Sequence, residues 1–398
     1  DLILQYNIND CFVTKKLAEK LREEINLRIS IRKDYKLECL SWDAPKIASE
    51  ILLDSYCKIA KKDKFEMRNN RYNKPYDFRI GDYIPKINFE TKFFQEFYKF
   101  VANSHNEINQ EFLFKNPNGI NIKISFGKGG LHTQQKNEKY VAKNGIFLAD
   151  FDASSLYPNL ISGYGFVNPQ LSEVLDVYRS IIVDRMEAKR AKNKTKDTTL
   201  KLCLNSISGL LDNQYSWIYS PEYALALRVT GQLFLLRTLE LCSLNGLSVF
   251  SMNTDGISLF YTKETESIMI EVMKQIESEF PFKMERTEYK FIYYSSVNDY
   301  IALTDNGKVK QKGSFLSDKQ IDGSNEFLII SIALKEYFVN RIPVEKTIKQ
   351  HENIYDFVSA KKIAKNYKVF YRGNQVQQLN RFFVSDRKNG AYLYKQKE

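Results

Sequence analysis

A short apolar run that ends in closely spaced carboxylates constrains the fold of this chain more than any other feature. Residues 146–149 are Ile-Phe-Leu-Ala, and Asp150 and Asp152 follow almost directly. Apolar runs of this length are typical of buried strands, and alternate residues of a strand lie on one face. Carboxylates at a strand end favour a divalent cation, because Mg²⁺ prefers oxygen ligands and shares them with substrate phosphates. The run therefore predicts a buried strand that carries acidic side chains into a polar site.

Length and composition limit the class of protein. The chain has 398 residues, which predicts two or more subdomains, and its formal charge of +11 favours a polyanionic partner. Five scattered cysteines without a C-x-x-C pair and three histidines disfavour a zinc site and predict reduced thiols. No apolar run approaches the ~20 residues of a membrane helix, and no signal peptide is evident. We therefore expect a cytoplasmic protein without a membrane partner.

Local patterns predict several helices and a hairpin. Asp43 as N-cap and Pro45 in the first turn predict a helix over 43–60. Two apolar strands flanking an Asp-Gly pair, 255–256, predict a hairpin with that pair at its tip. Further helices are predicted over 172–191 and 221–244, and a β-rich block over 285–315.

Three segments in order resemble the polymerase motifs of family B DNA polymerases. Residues 152–158, D-A-S-S-L-Y-P, resemble motif A, D-x-x-S-L-Y-P. Residues 201–209 resemble motif B, K-x-x-x-N-S-x-Y-G, and residues 253–256 resemble motif C, D-T-D-S. The ordered co-occurrence carries the resemblance more than any one motif does. The departures are Ser208 for Tyr, Asn253 for the first Asp of motif C, and Gly256 for Ser.

The resemblance implies an α+β right-hand polymerase with an antiparallel β-sheet palm, short helical fingers and a mixed thumb, preceded by a remnant of an RNase H-like exonuclease domain. Tyr6 to Asp10 resembles the third exonuclease motif, Y-x-x-x-D. The chain begins at Asp1, so we expect a fragment or a processed product, and because Asp10 alone cannot hold two metal ions we expect no exonuclease activity. The predicted division is an exonuclease remnant and N-terminal or linker region over 1–142, palm with motif A over 143–171, fingers over 172–215, palm with motif C over 216–318 and thumb over 319–398.

The resemblance also implies a two-metal site and a nucleotide pocket. Asp152 and Asp255 would hold two Mg²⁺ ions, or Mn²⁺, with help from the Ala153 carbonyl, and Asp150 would be a bystander. Lys201 would be the third catalytic residue, because its ammonium can bind phosphate oxygens and protonate the departing pyrophosphate. The Tyr157 ring would exclude the 2′-hydroxyl of a ribonucleotide. The implied nucleotide-binding residues are Ser155, Leu156, Tyr157, Arg185, Lys189, Lys201 and Asn205, where Arg185 with Lys189 and Lys201 with Asn205 each share a helix face.

Contacts with DNA are implied at three further places. A Gly-Gly loop would contact the template, motif B ends in a glycine, and a later segment resembles the K-x-Y and Lys-Gly elements that hold the primer, with Asn298 at the first Lys position. The implied DNA-binding residues are Gly129, Gly130, Gly209, Tyr300, Lys310 and Lys312.

These patterns together predict a DNA-templated DNA polymerase. The interval from Pro158 to Lys201 leaves no room for the insertions of protein-primed members, so a nucleic-acid primer is expected. Primer–template DNA and dNTPs are the expected partners, with a separate exonuclease half or other replisome proteins as further candidates. Lys-, Asn-, Ile- and Tyr-rich usage favours a phage or plasmid origin, and hence the cytoplasm of an infected bacterial host. The alternative is a catalytically degenerate polymerase that acts as a primer–template or single-stranded DNA binding module.

Overall fold

The computed structural model describes residues 2–69, 77–317, 327–384 and 392–397. It is a mixed α+β structure with a large antiparallel sheet. The helices are α1 (Leu2–Lys20), α2 (Arg22–Tyr35), α3 (Ala44–Ala60), α4 (Lys64–Asn69), α5 (Lys92–Asn103), α6 (Leu156–Tyr164), α7 (Glu173–Arg190), α8 (Lys194–Asp212), α9 (Pro221–Leu244), α10 (Glu266–Glu279), α11 (Leu328–Asn340) and α12 (Val344–Gln350).

The strands are β1 (Asn109–Lys115), β2 (Asn121–Gly127), β3 (Gly130–Thr133), β4 (Lys136–Val141), β5 (Phe147–Ala153), β6 (Ser248–Asn253), β7 (Gly256–Tyr261), β8 (Met284–Ser296), β9 (Asp299–Thr304), β10 (Val309–Lys312), β11 (Val358–Lys362), β12 (Tyr367–Tyr371), β13 (Asn374–Val376), β14 (Leu379–Phe383) and β15 (Leu393–Lys397). The first ten form one sheet in the order β1-β2-β3-β6-β7-β5-β8-β9-β10, and β4 pairs with β8. Strand β5, which carries motif A, therefore lies directly beside the hairpin β6–β7, which carries motif C.

Helix α9 packs under this sheet and is buried along nearly its whole length. Its 24 residues place apolar side chains on every side of the helix, as expected for a helix enclosed by other elements. Its one buried cation, Arg237, forms ion pairs with the carboxylates of Glu240 at 2.7 Å, Glu279 at 2.9 Å and Glu90 at 3.1 Å. A charge removed from water needs such partners, so this cluster ties α9 to α10 and to the chain before α5.

The predicted helices are confirmed, and one turn differs. Helix α3 begins after Asp43, whose Oδ1 accepts a hydrogen bond from the Lys46 N–H at 2.9 Å. Helices α7 and α9 match the predicted spans of 172–191 and 221–244 within a residue at each end. The hairpin is present, but its tip is Thr254–Asp255, because Gly256 already pairs with Asn253 in the ladder.

Two small antiparallel sheets, β11–β14 and β13–β12–β15, follow α12. The predicted boundary at 318/319 and the start of the predicted thumb lie outside the described residues, as do residues 385–391.

The five cysteines are free thiols. No helix in the described ranges has both the length and the apolar character needed to cross a bilayer.

Candidate active site

Two carboxylates that are distant along the chain meet at the ends of adjacent strands. Asp152 lies near the end of β5 and pairs with Gly256 of β7 in the sheet register. The Ala153 N–H donates a hydrogen bond to the Asp255 carbonyl at 2.8 Å, which fixes the motif C turn against the motif A strand. Both aspartates line a cavity of about 150 Å³.

The electrostatics of this pair suit a cation. Burial raises the pKa of Asp152, an effect that the Lys310 charge opposes and Glu285 reinforces. Burial also raises the pKa of Asp255, and repulsion from Asp152 raises it further. Partly buried carboxylates that repel each other fit hard divalent ions such as Mg²⁺. Among the described residues no three His, Cys, Asp or Glu side chains form a ready metal cluster, so the candidate protein ligands are these two carboxylates and the Ala153 carbonyl.

The backbone is strained on both sides of the carboxylates. Ser155 (φ 49°) and Thr254 (φ 58°) adopt the left-handed conformation, which is unfavourable for residues with a side chain and more so for a β-branched one. Neighbouring hydrogen bonds hold this geometry: the Thr254 N–H donates to the Leu131 carbonyl at 2.9 Å, and the Ser154 N–H donates to the Lys283 carbonyl at 2.8 Å. Strain of this kind persists only where the surrounding structure imposes it, so neighbouring segments hold both turns in place.

Gly256 departs from the family motif, and the structure gives a physical reason. A Cβ atom added to Gly256 would lie 2.3 Å from Asp152 Oδ1, which is too close for any contact. A residue with a side chain would therefore displace the Asp152 carboxylate from its position. The sequence shows the substitution but carries no signal for this contact, which depends on the cross-strand register.

A second cavity, of about 440 Å³, adjoins the carboxylates. Lys201 and Asn205 lie one turn apart on the exposed face of α8, and Lys189 is exposed on α7. The cavity brings together all of the predicted nucleotide-binding residues with one of the two predicted metal-binding aspartates and the predicted carbonyl ligand: Ser155, Leu156, Tyr157, Arg185, Lys189, Lys201, Asn205, Asp255 and Ala153.

Arg185 forms an ion pair with a residue of the neighbouring helix, which the sequence did not indicate. Its Nε donates to Asp197 Oδ1 at 2.9 Å, and its side chain is 13% exposed. This ion pair joins α7 to the first turn of α8. Because a guanidinium has five N–H donors, the pair orients Arg185 and leaves donors available on the cavity side.

The Tyr157 ring lies between the cavity and helix α9. It is half-buried, and a Cβ added to Gly231 of α9 would lie 3.6 Å from Tyr157 Cε1. Burial raises the pKa of the Tyr157 hydroxyl, while the nearby Arg228 charge lowers it. The ring is thus supported by the helix on one side and lines the cavity on the other.

The predicted DNA-binding residues separate into two groups. Tyr300, Lys310 and Lys312 line the smaller cavity together with the carboxylates. Gly130 lies beside Thr254, since its added Cβ would be 3.7 Å from Thr254 Oγ1. Gly129 and Gly209 do not line either of the two cavities at the carboxylates. Gly129 is in the exposed turn between β2 and β3, and Gly209 lines a neighbouring cavity of about 720 Å³ between α8 and α2–α3.

Two departures from the family pattern contact each other. The Asn253 Nδ2 group donates to Asn298 Oδ1 at 3.3 Å, and the Lys312 ammonium donates to the same oxygen at 2.7 Å. Asn253 stands where the motif has a carboxylate, and Asn298 stands where it has a lysine. The position that lacks the expected negative charge therefore contacts the position that lacks the expected positive charge.

Asp150, treated from the sequence as a bystander, is enclosed by polar partners. Ser258 Oγ donates to its Oδ1 at 2.6 Å and the Tyr289 hydroxyl donates to its Oδ2 at 3.3 Å. The Lys310 ammonium donates to that same tyrosine hydroxyl at 2.6 Å. Burial, followed by repulsion from Asp152, raises the pKa of Asp150 to about 6.

The chain resembles solved structures at low sequence identity. No family model matches the chain. No curated protein matches it in sequence. Among solved structures, a family B DNA polymerase from the hyperthermophilic archaeon Pyrobaculum calidifontis is similar with a TM-score of 0.47 and 14% identity, over 92% of this chain and 46% of that one. The chain thus spans about half the length of that polymerase, and a likeness of this size assigns neither fold nor function by itself.

Proposed function

We propose that the chain is a DNA-directed DNA polymerase that extends a nucleic-acid primer with dNTPs. The observation that supports this most is the meeting of Asp152 and Asp255 at adjacent strand ends beside a cavity rich in cationic side chains. In this proposal the sheet around β5–β7 is the palm, α7 and α8 are the fingers, and the segment after residue 318 is the thumb. An exonuclease function is not proposed for this chain.

The proposed chemistry is nucleotidyl transfer at the two carboxylates. When bound, two Mg²⁺ ions would activate the primer 3′-hydroxyl and stabilise the leaving pyrophosphate, and Mn²⁺ could replace them. Asp152 and Asp255 would hold these ions with the Ala153 carbonyl. Lys189 and Lys201 bind triphosphate oxygens with Arg185, because phosphoryl transfer depends on positioning and on neutralising charge.

The same arrangement offers places for the sugar and the primer. The Tyr157 ring, backed by α9, would lie against the incoming sugar and exclude a 2′-hydroxyl. Lys310 and Lys312 lie beside the carboxylates and would bind primer phosphates near the 3′ end. The formal charge of +11 favours further contacts with the phosphates of primer–template DNA.

The second candidate is a degenerate polymerase that binds primer–template or single-stranded DNA without turnover. Asn253 supports it, because an amide in place of a carboxylate weakens the negative charge of the site. The contact between Asn253 and Asn298 counts against it, since the lost carboxylate is accompanied by a lost lysine and the net charge is maintained. The first proposal is therefore preferred.

Primer extension separates the two candidates. The wild-type protein is compared with Asp152→Asn, Asp255→Asn and the control Asp305→Asn, which changes an exposed carboxylate in the turn after β9. Each site variant should lose at least about a thousandfold in rate, because removal of a metal ligand removes charge stabilisation of the transition state, whereas the control should extend normally. Extension by none of the proteins, with DNA binding retained, would support the binding module. Equal extension by all four would exclude these carboxylates.

A charge exchange tests whether the asparagine contact is compensatory. Asn298→Lys places a second ammonium beside Lys312 and should lower kcat/KM about fivefold, a cost of about 1 kcal/mol for an exposed charge pair. Adding Asn253→Asp should restore most of this loss by forming an ion pair across the same contact. If Asn253→Asp had the same effect with and without Asn298→Lys, the two positions would not be coupled.

A further inference from the structure

A continuous hydrogen-bonded chain runs from Asp150 to Lys310 across the sheet. Asp150 is on β5, Ser258 on β7, Tyr289 on β8 and Lys310 on β10. Ser258 holds one Asp150 oxygen at 2.6 Å, and the Tyr289 hydroxyl donates to the other at 3.3 Å. The same hydroxyl accepts from the Lys310 ammonium at 2.6 Å. Asp150 thus contacts Lys310 only through Tyr289.

The tyrosine fixes the lysine through its hydroxyl. The Lys310 ammonium lies 2.6 Å from the hydroxyl oxygen and 5.0 Å from the ring centroid, so both distances describe one contact at the hydroxyl end of the ring. A lysine side chain is otherwise flexible and strongly hydrated, and it tends to extend into solvent. Here the ammonium is held inside the cavity that Asp152 and Asp255 line.

We propose that Asp150 is a positioning residue for the DNA substrate: through the Tyr289 hydroxyl it holds the Lys310 ammonium inside the acidic cavity, where Lys310 binds a phosphodiester group of the primer strand. This inference rests on the proposed function. It goes beyond that function because it assigns a role to a carboxylate that neither binds the metal ions nor contacts the substrate. It also explains why an aspartate is kept so close to the two proposed ligands, where its charge alone would repel DNA.

The proposal and simple charge repulsion predict opposite changes in DNA affinity when Asp150 is replaced. If Asp150 acted only through its negative charge, Asp150→Asn would tighten DNA binding. If it positions Lys310, the same substitution weakens binding, on the order of tenfold for the loss of one fixed charged contact. Tyr289→Phe, which keeps the ring and both charges but removes the linking hydroxyl, should weaken binding by a similar factor.

The test measures the affinity for primer–template by fluorescence anisotropy in EDTA, so that neither metal ions nor turnover contribute. Asp150→Asn and Tyr289→Phe are each made alone and in combination with Lys310→Met. Each should weaken binding in the wild-type background and have less than about a twofold effect in the Lys310→Met background, because the contact that they position is already absent. The control is Glu288→Gln, which removes a carboxylate that accepts from a tyrosine hydroxyl in the same sheet, at 2.8 Å from Tyr261, but is outside the cavity.

The outcomes separate this inference from the proposed function. Wild-type protein that binds no primer–template would overturn the function and the inference together. Wild-type binding with unchanged or tighter binding by Asp150→Asn and Tyr289→Phe would overturn the inference alone. An undiminished effect of either substitution in the Lys310→Met background, or a similar loss in Glu288→Gln, would show that Asp150 does not act through Lys310.

Discussion

Replacing Asp150 with asparagine is expected to stabilise the metal-free protein at neutral pH. The carboxyl titrates at about 6 in the folded protein, against an ordinary value of 3.8. Its raised pKa means that the folded state binds this proton more tightly than the unfolded state does. The contribution to stability is therefore full below pH 3.8 and is lost as the pH rises through 6.

The size of the effect follows from these two values. The raised pKa lowers the free energy of unfolding by about 3 kcal/mol at pH 7.5, where the carboxyl is ionised in both states. At pH 4.5 it lowers it by about 1 kcal/mol, because the carboxyl is then ionised only in the unfolded chain. Asparagine avoids this cost at both pH values but has one acceptor oxygen in place of the two that accept from Ser258 and Tyr289, which offsets about 1 kcal/mol. The variant should thus be more stable than wild type by about 2 kcal/mol at pH 7.5 and about equal at pH 4.5.

Urea unfolding in EDTA at the two pH values provides the measurement. Glu288→Gln is the matched control and should lower the free energy of unfolding, because the Glu288 carboxylate accepts hydrogen bonds from Arg286 and Tyr261 that stabilise the fold. A variant at Asp150 that is less stable than wild type at pH 7.5, or a difference that is the same at both pH values, would refute the reasoning. Together with the DNA-binding test, the expected result is a protein that is more stable and binds its substrate less well, a common compromise at functional sites.

Three further predictions concern the nucleotide pocket and the core. Tyr157→Ala should reduce discrimination between UTP and dTTP in primer extension by at least about tenfold, and unchanged discrimination would contradict its role as a gate. Lys201→Ala should raise KM for dNTP on the order of tenfold by removing a charged contact to phosphate, whereas Lys194→Ala, at the exposed start of the same helix, should not. Arg237→Ala should lower the free energy of unfolding by about 3–5 kcal/mol because it leaves the buried Glu240 carboxylate without its ion-pair partner, and loss of the exposed pair of Arg79 with Asp82 serves as a control with a much smaller effect.

The elements that sequence predicted well are those with local signals. Asp43 and Pro45 define the start of α3, and the cationic residues four apart share a face because helical geometry imposes it. The strand before Asp152 was recognisable from its apolar run. The proximity of Asp152 to Asp255 was expected only from the motif order, since nothing local encodes the pairing of β5 with β7.

The features that sequence did not provide depend on strand register and on contacts between distant elements. Tyr289 and Lys310 approach Asp150 only because β8 pairs with β5, and β10 with β9, in one particular register, and a slip of one residue would turn these side chains to the other face. The link between Arg185 and Asp197 requires the packing of two helices. The tip of the hairpin was placed one residue late, because an Asp-Gly pair signals a turn without fixing which residue rejoins the ladder.

The two-residue turn between β6 and β7 leaves this site no tolerance for changes of length. Asn253 and Gly256 are partners across the turn, so an added residue must either widen the loop or reverse which side of the sheet the following residues face. In the second case Asp152 would keep its orientation while the partner carboxylate moved away from it. Length variation in relatives of this chain should therefore accumulate in loops that lie away from this turn.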